Sequence, residues 1–377
     1  MKKIAILTQP IGFNYGGIIQ NYALQFTLKK MGYEVETIAR EYEKVSRIKL
    51  LLHKAKIAIL NSSSNDKIKI FSDDEKNYTA SEVLRFLKDK ISISEKLYTD
   101  NDISTYFKTN KFDIVVVGSD QTWRPKYSPN IYNYFLDFLI NDKTIIKIAY
   151  ASSFGTDQWE FDEEETKKCS ELAKEFNAIS VREKPAINLC DIYLKVKADW
   201  VLDPTLLLEK EEYISLFKEE KNINVGMFNY VLDQDVAKQN FIKEIASTLN
   251  LKHFNCQPKR SLTDKLNFTN IDDYKFPSLE KWLKSFHDAE FIVTDSFHGT
   301  VFSIIFKKPF ISIINEDRGA SRFYSLLNAL GLEDRLITDV NNFDAEILQK
   351  PINYDSVNNK LEDLKKSSYE FLEKNLK

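Results

Sequence analysis

FIVTDSFHGTVFSIIF, residues 291–306, is the stretch whose reading decides the fold. FIVT is apolar or β-branched, as suits a buried strand. TVFSIIF stays apolar at a spacing that suits a helix. Between them Asp295, Ser296, His298 and Gly299 make a polar junction. A strand running through a short polar turn into a helix is half of a βαβ unit, and near-continuous apolar strands belong to parallel sheets covered by helices.

Outward from that turn the alternation repeats. KIAILTQ begins at Lys3, a loop containing Gly12, Gly16 and Gly17 follows, and a helix is expected over about 18–31, ended by Gly32. YEVETIA, FDIVVVGSD (112–120), IIKIAYASS (145–153) and AISVRE (178–183) read as further strands, with a charged helix at 161–176. Residues 41–110 read as helices and an exposed loop around NSSSND (61–66). The pattern pauses at VLDPTLLLEKEEYISLFKEEKN (201–222), where Pro204 breaks the chain, and restarts at NVGMFNYV (224–231). A helix near 235–249, LKHFNC (251–256), a helix over 278–288, PFISII (309–314) and a helix from Ser321 complete the second set. Residues 356–376 read as one long amphipathic helix. The expectation is two α/β lobes: residues 1–205, a linker at 206–222, residues 223–350, and a C-terminal helix in 351–377 that packs back toward the first lobe.

Composition narrows the function. The chain has 377 residues, 43% of them apolar, enough for two packed cores. Its net charge of −3 and scattered lysines argue against nucleic acid. Cys169, Cys190 and Cys256 lack metal-site or redox spacing and read as free thiols of a reducing compartment. No run approaches the ~18 apolar residues of a membrane span, and MKKIAILTQP is too short in its apolar part for a signal sequence. A cytoplasmic protein is expected. Only 10 glycines occur, against about 26 at average usage. Those that remain are expected where a side chain would obstruct a turn or a ligand.

In open parallel sheets ligands bind beyond the carboxyl ends of strands, so the strand-to-helix loops are the candidate site. TQPIGFNYGGIIQ (8–20) offers Asn14, Tyr15, Gly16, Gly17 and Gln20 at a helix start, where N–H groups attract anions. GSDQTWRP (118–125) offers Ser119, Asp120, Gln121 and Trp123, either as a capped turn or as an aromatic beside hydrogen-bonding groups that could hold a sugar. Arg182 in SVREKP is either half of a salt bridge or a planar fork for phosphate or carboxylate. Arg318 and Arg322, just before and at the end of GASR (319–322), fall at a helix start. Two cations there oppose the helix dipole and suggest a held anion. Among four histidines, His53, His253 and His287 sit in segments with no other chemical signal. His298 does not. Asp295 or Ser296 could cap the helix that follows, but capping does not explain an imidazole there. No HExxH, clustered Cys/His set or GxSxG is present, so no metal is expected.

Taken together, NYGGIIQNYALQFTLKKMGYEV, GSDQTW, SVREK and TDSFHGTVFSIIFKKPFI, in that order, resemble the polysaccharide pyruvyl transferase family over most of the chain. The resemblance implies two Rossmann-like lobes facing a cleft, of GT-B type. It implies transfer of pyruvate from phosphoenolpyruvate to a sugar of a surface glycan or its lipid-linked precursor, with a cyclic ketal formed and no further cofactor. An acceptor of that kind would bring the protein to the inner membrane face. Arg182 and His298 match the family's arginine and histidine near phosphoenolpyruvate. Many members carry an arginine two positions before that histidine, where this chain has Ser296, so Arg318 or Arg322 is expected to replace it. His298 is assigned to proton transfer or to the departing phosphate, Asp120 and Asp295 to deprotonating acceptor hydroxyls, and Ser296, Gly299 and Thr300 to the donor side. A GT-B glycosyltransferase using a nucleotide sugar, and a non-catalytic glycan- or anion-binding protein, are the alternatives.

Overall fold

The computed structural model of the chain describes residues 1–377 except 45, 64–68, 221–225, 234, 263–267, 269 and 315–318. Seven strands make the first sheet: β1 (Lys3–Leu7), β2 (Glu34–Arg40), β3 (Ile93–Leu97), β4 (Ile114–Asp120), β5 (Ile146–Ser152), β6 (Ala178–Val181) and β7 (Asp199–Trp200). Five make the second: β8 (Met227–Tyr230), β9 (His253–Phe254), β10 (Phe291–Thr294), β11 (Phe310–Ile313) and β12 (Leu336–Ile337). All neighbours pair in parallel, in the orders β3-β2-β1-β4-β5-β6-β7 and β12-β11-β10-β8-β9. Central strands such as Ile114–Asp120 are buried at every position, which is why they read as unbroken apolar runs.

Each sheet has a point where the strand order reverses. In the first it lies between β1 and β4, in the second between β8 and β10. Helices leaving opposite faces splay apart at such a point and leave a crevice. The two crevices face one another.

The lobes share apolar contacts as well. The helix Tyr15–Lys30 carries Tyr15 onto Trp282, ring centroids 5.4 Å apart, and Phe13 lies 5.4 Å from Phe276. The helix Tyr354–Asn375 starts on the second lobe, where the Tyr354 hydroxyl donates to the Lys308 carbonyl. It finishes on the first, where Phe371 packs 6.1 Å from Tyr150 and the Leu376 carbonyl accepts from Tyr33. The expected return of the C-terminal helix is therefore observed.

Two readings of the sequence change. Residues 41–110 hold not only helices (47–63, 73–79, 81–90 and 100–109) but also the edge strand β3. The segment expected to be a linker at 206–222 is structured where described, with the helix Lys210–Leu216 and Leu206, Leu207 and Leu208 all buried. Its last two residues lie outside the described ones.

Candidate functional site

A cavity of about 380 Å³ opens where the two crevices meet. Its walls include the segments after the four switch-point strands: Thr8 to Gly12 and Asn14 after β1, Asp120 and Gln121 at the end of β4, Leu232 after β8, and Asp295 to His298 after β10. Gly17, Gln20, Arg322 and Phe323 line it too. The topology alone selects this place.

Three helices present their N-termini at the cavity. Tyr15–Lys30 is capped by Asn14, whose side chain accepts from the Gly16 N–H. Phe297–Ile305 is capped by Ser296, which accepts from the Gly299 N–H at 3.4 Å. Ser321–Leu330 carries Arg322 in its first turn. None of the three has an acidic residue in its first turn. By contrast the helices 73–79, 100–109 and 163–173, which start elsewhere, open with two or three carboxylates each. Carboxylates normally neutralise a helix's positive end. At the cavity the carboxylates near these ends, Asp120 and Asp295, come from other segments instead.

Behind the cavity wall lies a buried ionic cluster. Arg182 donates to Asp203 at 2.6 Å and to Asp120 at 3.2 Å. Asp203 also accepts from the backbone N–H and hydroxyl of Thr205, and its Oδ2 lies 3.6 Å from His298 Nε2. That last distance is an electrostatic contact rather than a formed hydrogen bond. Burial works to raise the Asp203 pKa, yet His298 and Arg182 outweigh it and hold the carboxyl well below its usual range. Asp120 behaves alike: burial raises it, while Arg182, His298 and Arg322 together pull it down. Its backbone sits at φ 76°, the left-handed region that aspartate tolerates better than most residues. Burial pushes the Arg322 guanidinium down to about 10, with the repulsion of Arg182 behind it. Both guanidinium groups lie over the Phe297 ring, 5.0 and 5.3 Å from its centroid. Arg322 is buried and lines the cavity.

His298 is placed by both lobes. Its helix starts after β10, and Asp203 stands at one ring nitrogen. At the other side is Gly16: a methyl there would come within 2.9 Å of Cγ and 3.0 Å of Cε1, and closer still to Nδ1. Gly16 is thus needed for contact with the histidine. Nearby, Glu183 accepts from Ser153 and from the Phe154 and Gly155 N–H groups, and burial pushes its pKa up. The Gly155 carbonyl in turn occupies the space a side chain on Gly319 would need. The lobes also meet where the Lys184 N–H donates to the Ser325 hydroxyl at 3.0 Å.

Several expected site residues lie elsewhere. Trp123 is fully buried, stacked on Phe135 at 4.9 Å, with its indole N–H donating to the Tyr134 carbonyl, so it packs the first lobe's core and offers no face to a sugar. Tyr15 is held between lobes, its hydroxyl donating to the Pro277 carbonyl. The Ser119 hydroxyl is buried and donates to the Ala151 carbonyl. Gly299 abuts Thr294, which explains the absent side chain without a ligand, and Thr300 is paired with Ser312 at 2.6 Å. Arg182 is clamped by two carboxylates behind the wall. Asp295 reaches the cavity, but its carboxylate accepts from the Leu232 and Asp233 N–H groups and from Lys238, so both oxygens anchor the turn after β8. Arg318 lies outside the described residues. Asp203 was missed because VLDPTLLL looks like a broken apolar stretch; a carboxylate set among leucines, which needs a partner if buried, was the available signal. Among the described residues no group of three or more His, Cys, Asp or Glu side chains is placed to hold a metal ion.

A family model described as polysaccharide pyruvyl transferase matches residues 14–317. Comparison with curated proteins finds no match. Among solved structures, the UDP-GlcNAc 2-epimerase of Neisseria meningitidis bound to UDP-GlcNAc is 12% identical, with a TM-score of 0.50 over 100% of both chains. MurG of Acinetobacter baumannii is 10% identical with a TM-score of 0.47, over 100% of this chain and 99% of that one. S. aureus MnaA with UDP is 11% identical with a TM-score of 0.48, over 100% of this chain and 91% of that one. At 12% identity the likeness to the Neisseria enzyme is one of fold, the two-lobed GT-B type.

Proposed function

We propose that this chain, which belongs to the polysaccharide pyruvyl transferase family, transfers pyruvate from phosphoenolpyruvate to a sugar of a bacterial surface polysaccharide or its lipid-linked precursor. The product is a cyclic ketal and the leaving group is phosphate. The observation that carries the reading is the meeting of three acid-free helix starts and Arg322 around His298. A donor with a carboxylate and a phosphate suits that field.

The chemistry follows from which groups reach the cavity. His298 donates a proton to C3 of the enol, so that C2 becomes electrophilic. One sugar hydroxyl adds to C2, and Asp120, ionised at neutral pH, takes its proton as the bond forms. The C2–O bond to phosphate then breaks, Asp120 passes its proton to the departing phosphate, and Arg322 and the helix ends stabilise that anion. A second hydroxyl closes the ring at C2 and returns its proton to His298. Asp203 faces the imidazole and helps to hold its orientation, and Arg182 keeps Asp203 ionised. Arg322 supplies the cation that Ser296 does not, and Asn14, Gln20 and Gln121 are left to bind acceptor hydroxyls.

The test is incubation of the purified chain with phosphoenolpyruvate and a candidate glycan. Phosphate release matched by a pyruvyl ketal on the glycan in mass spectrometry is expected. Consumption of a nucleotide sugar with phosphoenolpyruvate untouched would overturn the donor.

A further inference from the structure

The helix Arg47–Ser63 leaves its apolar side in solvent. Ile48, Leu51, Leu52 and Ile59 are 71%, 65%, 65% and 69% exposed, and Ala55 is exposed with them. At the helical advance of about 100° per residue these five positions fall within an arc of about 100°. Lys49 and Lys56, both exposed, border that arc, while Ile57 on the opposite side is half-buried. The helix's sequence, RIKLLLHKAKIAILNSS, contains four lysines and arginines and no carboxylate. An exposed aliphatic stripe along a purely cationic helix is not the usual way to end a folded surface.

The helix also lies where it matters. It follows β2, whose carboxyl end faces the cleft, and Tyr42 just before it lines the cavity and donates to the Tyr127 carbonyl at 2.8 Å. The stripe is too short and too charged to span a bilayer, and no described helix is long and apolar enough to cross one.

We propose that Arg47–Ser63 docks in the headgroup layer of an anionic membrane, with Ile48, Leu51, Leu52 and Ile59 toward the acyl chains and the lysines toward lipid phosphates. Its place beside Tyr42 sets the cleft at the surface where a lipid-linked sugar would be presented. That second statement rests on the pyruvyl-transfer reading; the docking does not. Charge favours a membrane over a second copy of the chain. A twofold contact through this stripe sets each helix's cationic border against its own copy, whereas lysine stems lie along an apolar surface and extend their heads into anionic lipid.

Sedimentation with vesicles tests it, using the full chain and no donor or acceptor. Vesicles of phosphatidylglycerol and phosphatidylcholine should pellet the wild type, and phosphatidylcholine alone should pellet much less. Lys49→Gln with Lys56→Gln should weaken binding to the anionic vesicles by roughly thirtyfold. Leu51→Ser, Leu52→Ser and Ile59→Ser together should weaken it by at least about tenfold. All five residues are exposed, so both variants should keep the wild-type melting temperature and turnover on a water-soluble acceptor. Equal pelleting of wild type and serine variant overturns the proposal. So does a wild type that elutes as a dimer while the serine variant elutes as a monomer, since the stripe would then join copies. Failed turnover with intact vesicle binding would overturn the enzyme reading alone.

Discussion

Gly16→Ala places one methyl group between the lobes, against the imidazole. In the structure that carbon would stand 2.9 Å from His298 Cγ and nearer to Nδ1, where ordinary contact begins at about 3.4 Å. The ring, or the lobe carrying it, has to retreat by at least about 0.5 Å for Cγ and on the order of 1 Å for Nδ1. Rotation within the helix gives little relief, because the ring is buried with Asp203 on its far side. Misplacement on that scale costs roughly 10²-fold in rate. Stability should respond far less: alanine gains about 1 kcal/mol of helix propensity over glycine, and overpacking costs about 1–3 kcal/mol. A net loss of about 2 kcal/mol or less is expected by urea unfolding, beside a turnover about a hundred times slower by phosphate release. The neighbouring change Gly17→Ala is the steric control, since its methyl would meet Asp120 at 3.6 Å and Asn14 at 3.7 Å, both ordinary contacts. Turnover of Gly16→Ala within twofold of wild type would show that the closeness of glycine and histidine does not govern the chemistry.

Asp203→Asn should cost roughly 3–5 kcal/mol at pH 7, because Arg182 loses its nearest carboxylate in a buried place. Asp203 and Asp120 both ionise below the unfolded carboxylate value of about 4, so their stabilisation is complete above that pH and is lost as pH falls below it. Thermal melts between pH 6 and 2.5 should therefore decline more steeply for wild type than for the variant, and parallel curves would contradict the assignment. Arg322→Ala should weaken phosphoenolpyruvate by roughly ten- to a hundredfold, read as lost thermal protection by the donor; undiminished protection would remove Arg322 from the donor site. Trp123→Ala should destabilise the fold by about 3–5 kcal/mol while donor protection of the folded fraction persists, and a selective loss of acceptor affinity would restore the residue to the cleft.

Strands and helices with strong periodicity were visible in the residues: FIVT, IVVVGSD and IKIAYAS are strands because the sheets bury them on both faces. The strands that escaped reading are edge or two-residue pieces. ISEKL pairs on one side only and has three polar residues in a row between its apolar ends, and Asp199–Trp200 and Leu336–Ile337 are too short for any period to show. At the site, loop position identified His298, Asp120 and Arg322 as neighbours, since strand ends converge in this topology. Which way a side chain turns was not written there. Trp123 and Gln121 share a loop, yet one enters the core and the other the cavity, a choice made by the aromatic cluster around Phe135. Asp203 was hidden for the opposite reason: Arg182 stands 21 residues back in the chain and His298 follows β10 in the other lobe.

The contact of Gly16 with His298 bears on how such proteins can be re-engineered. Lobes in a two-lobed protein invite exchange. Here the histidine of one half is seated by a glycine and an aspartate of the other, and Gly319 is fitted to a carbonyl at Gly155. A hybrid that swaps halves inherits His298 without its seat. On the pyruvyl-transfer reading, a new acceptor is better sought by changing the loop after β4 within one parent, which leaves Phe13, Gly16 and Gly155 in place.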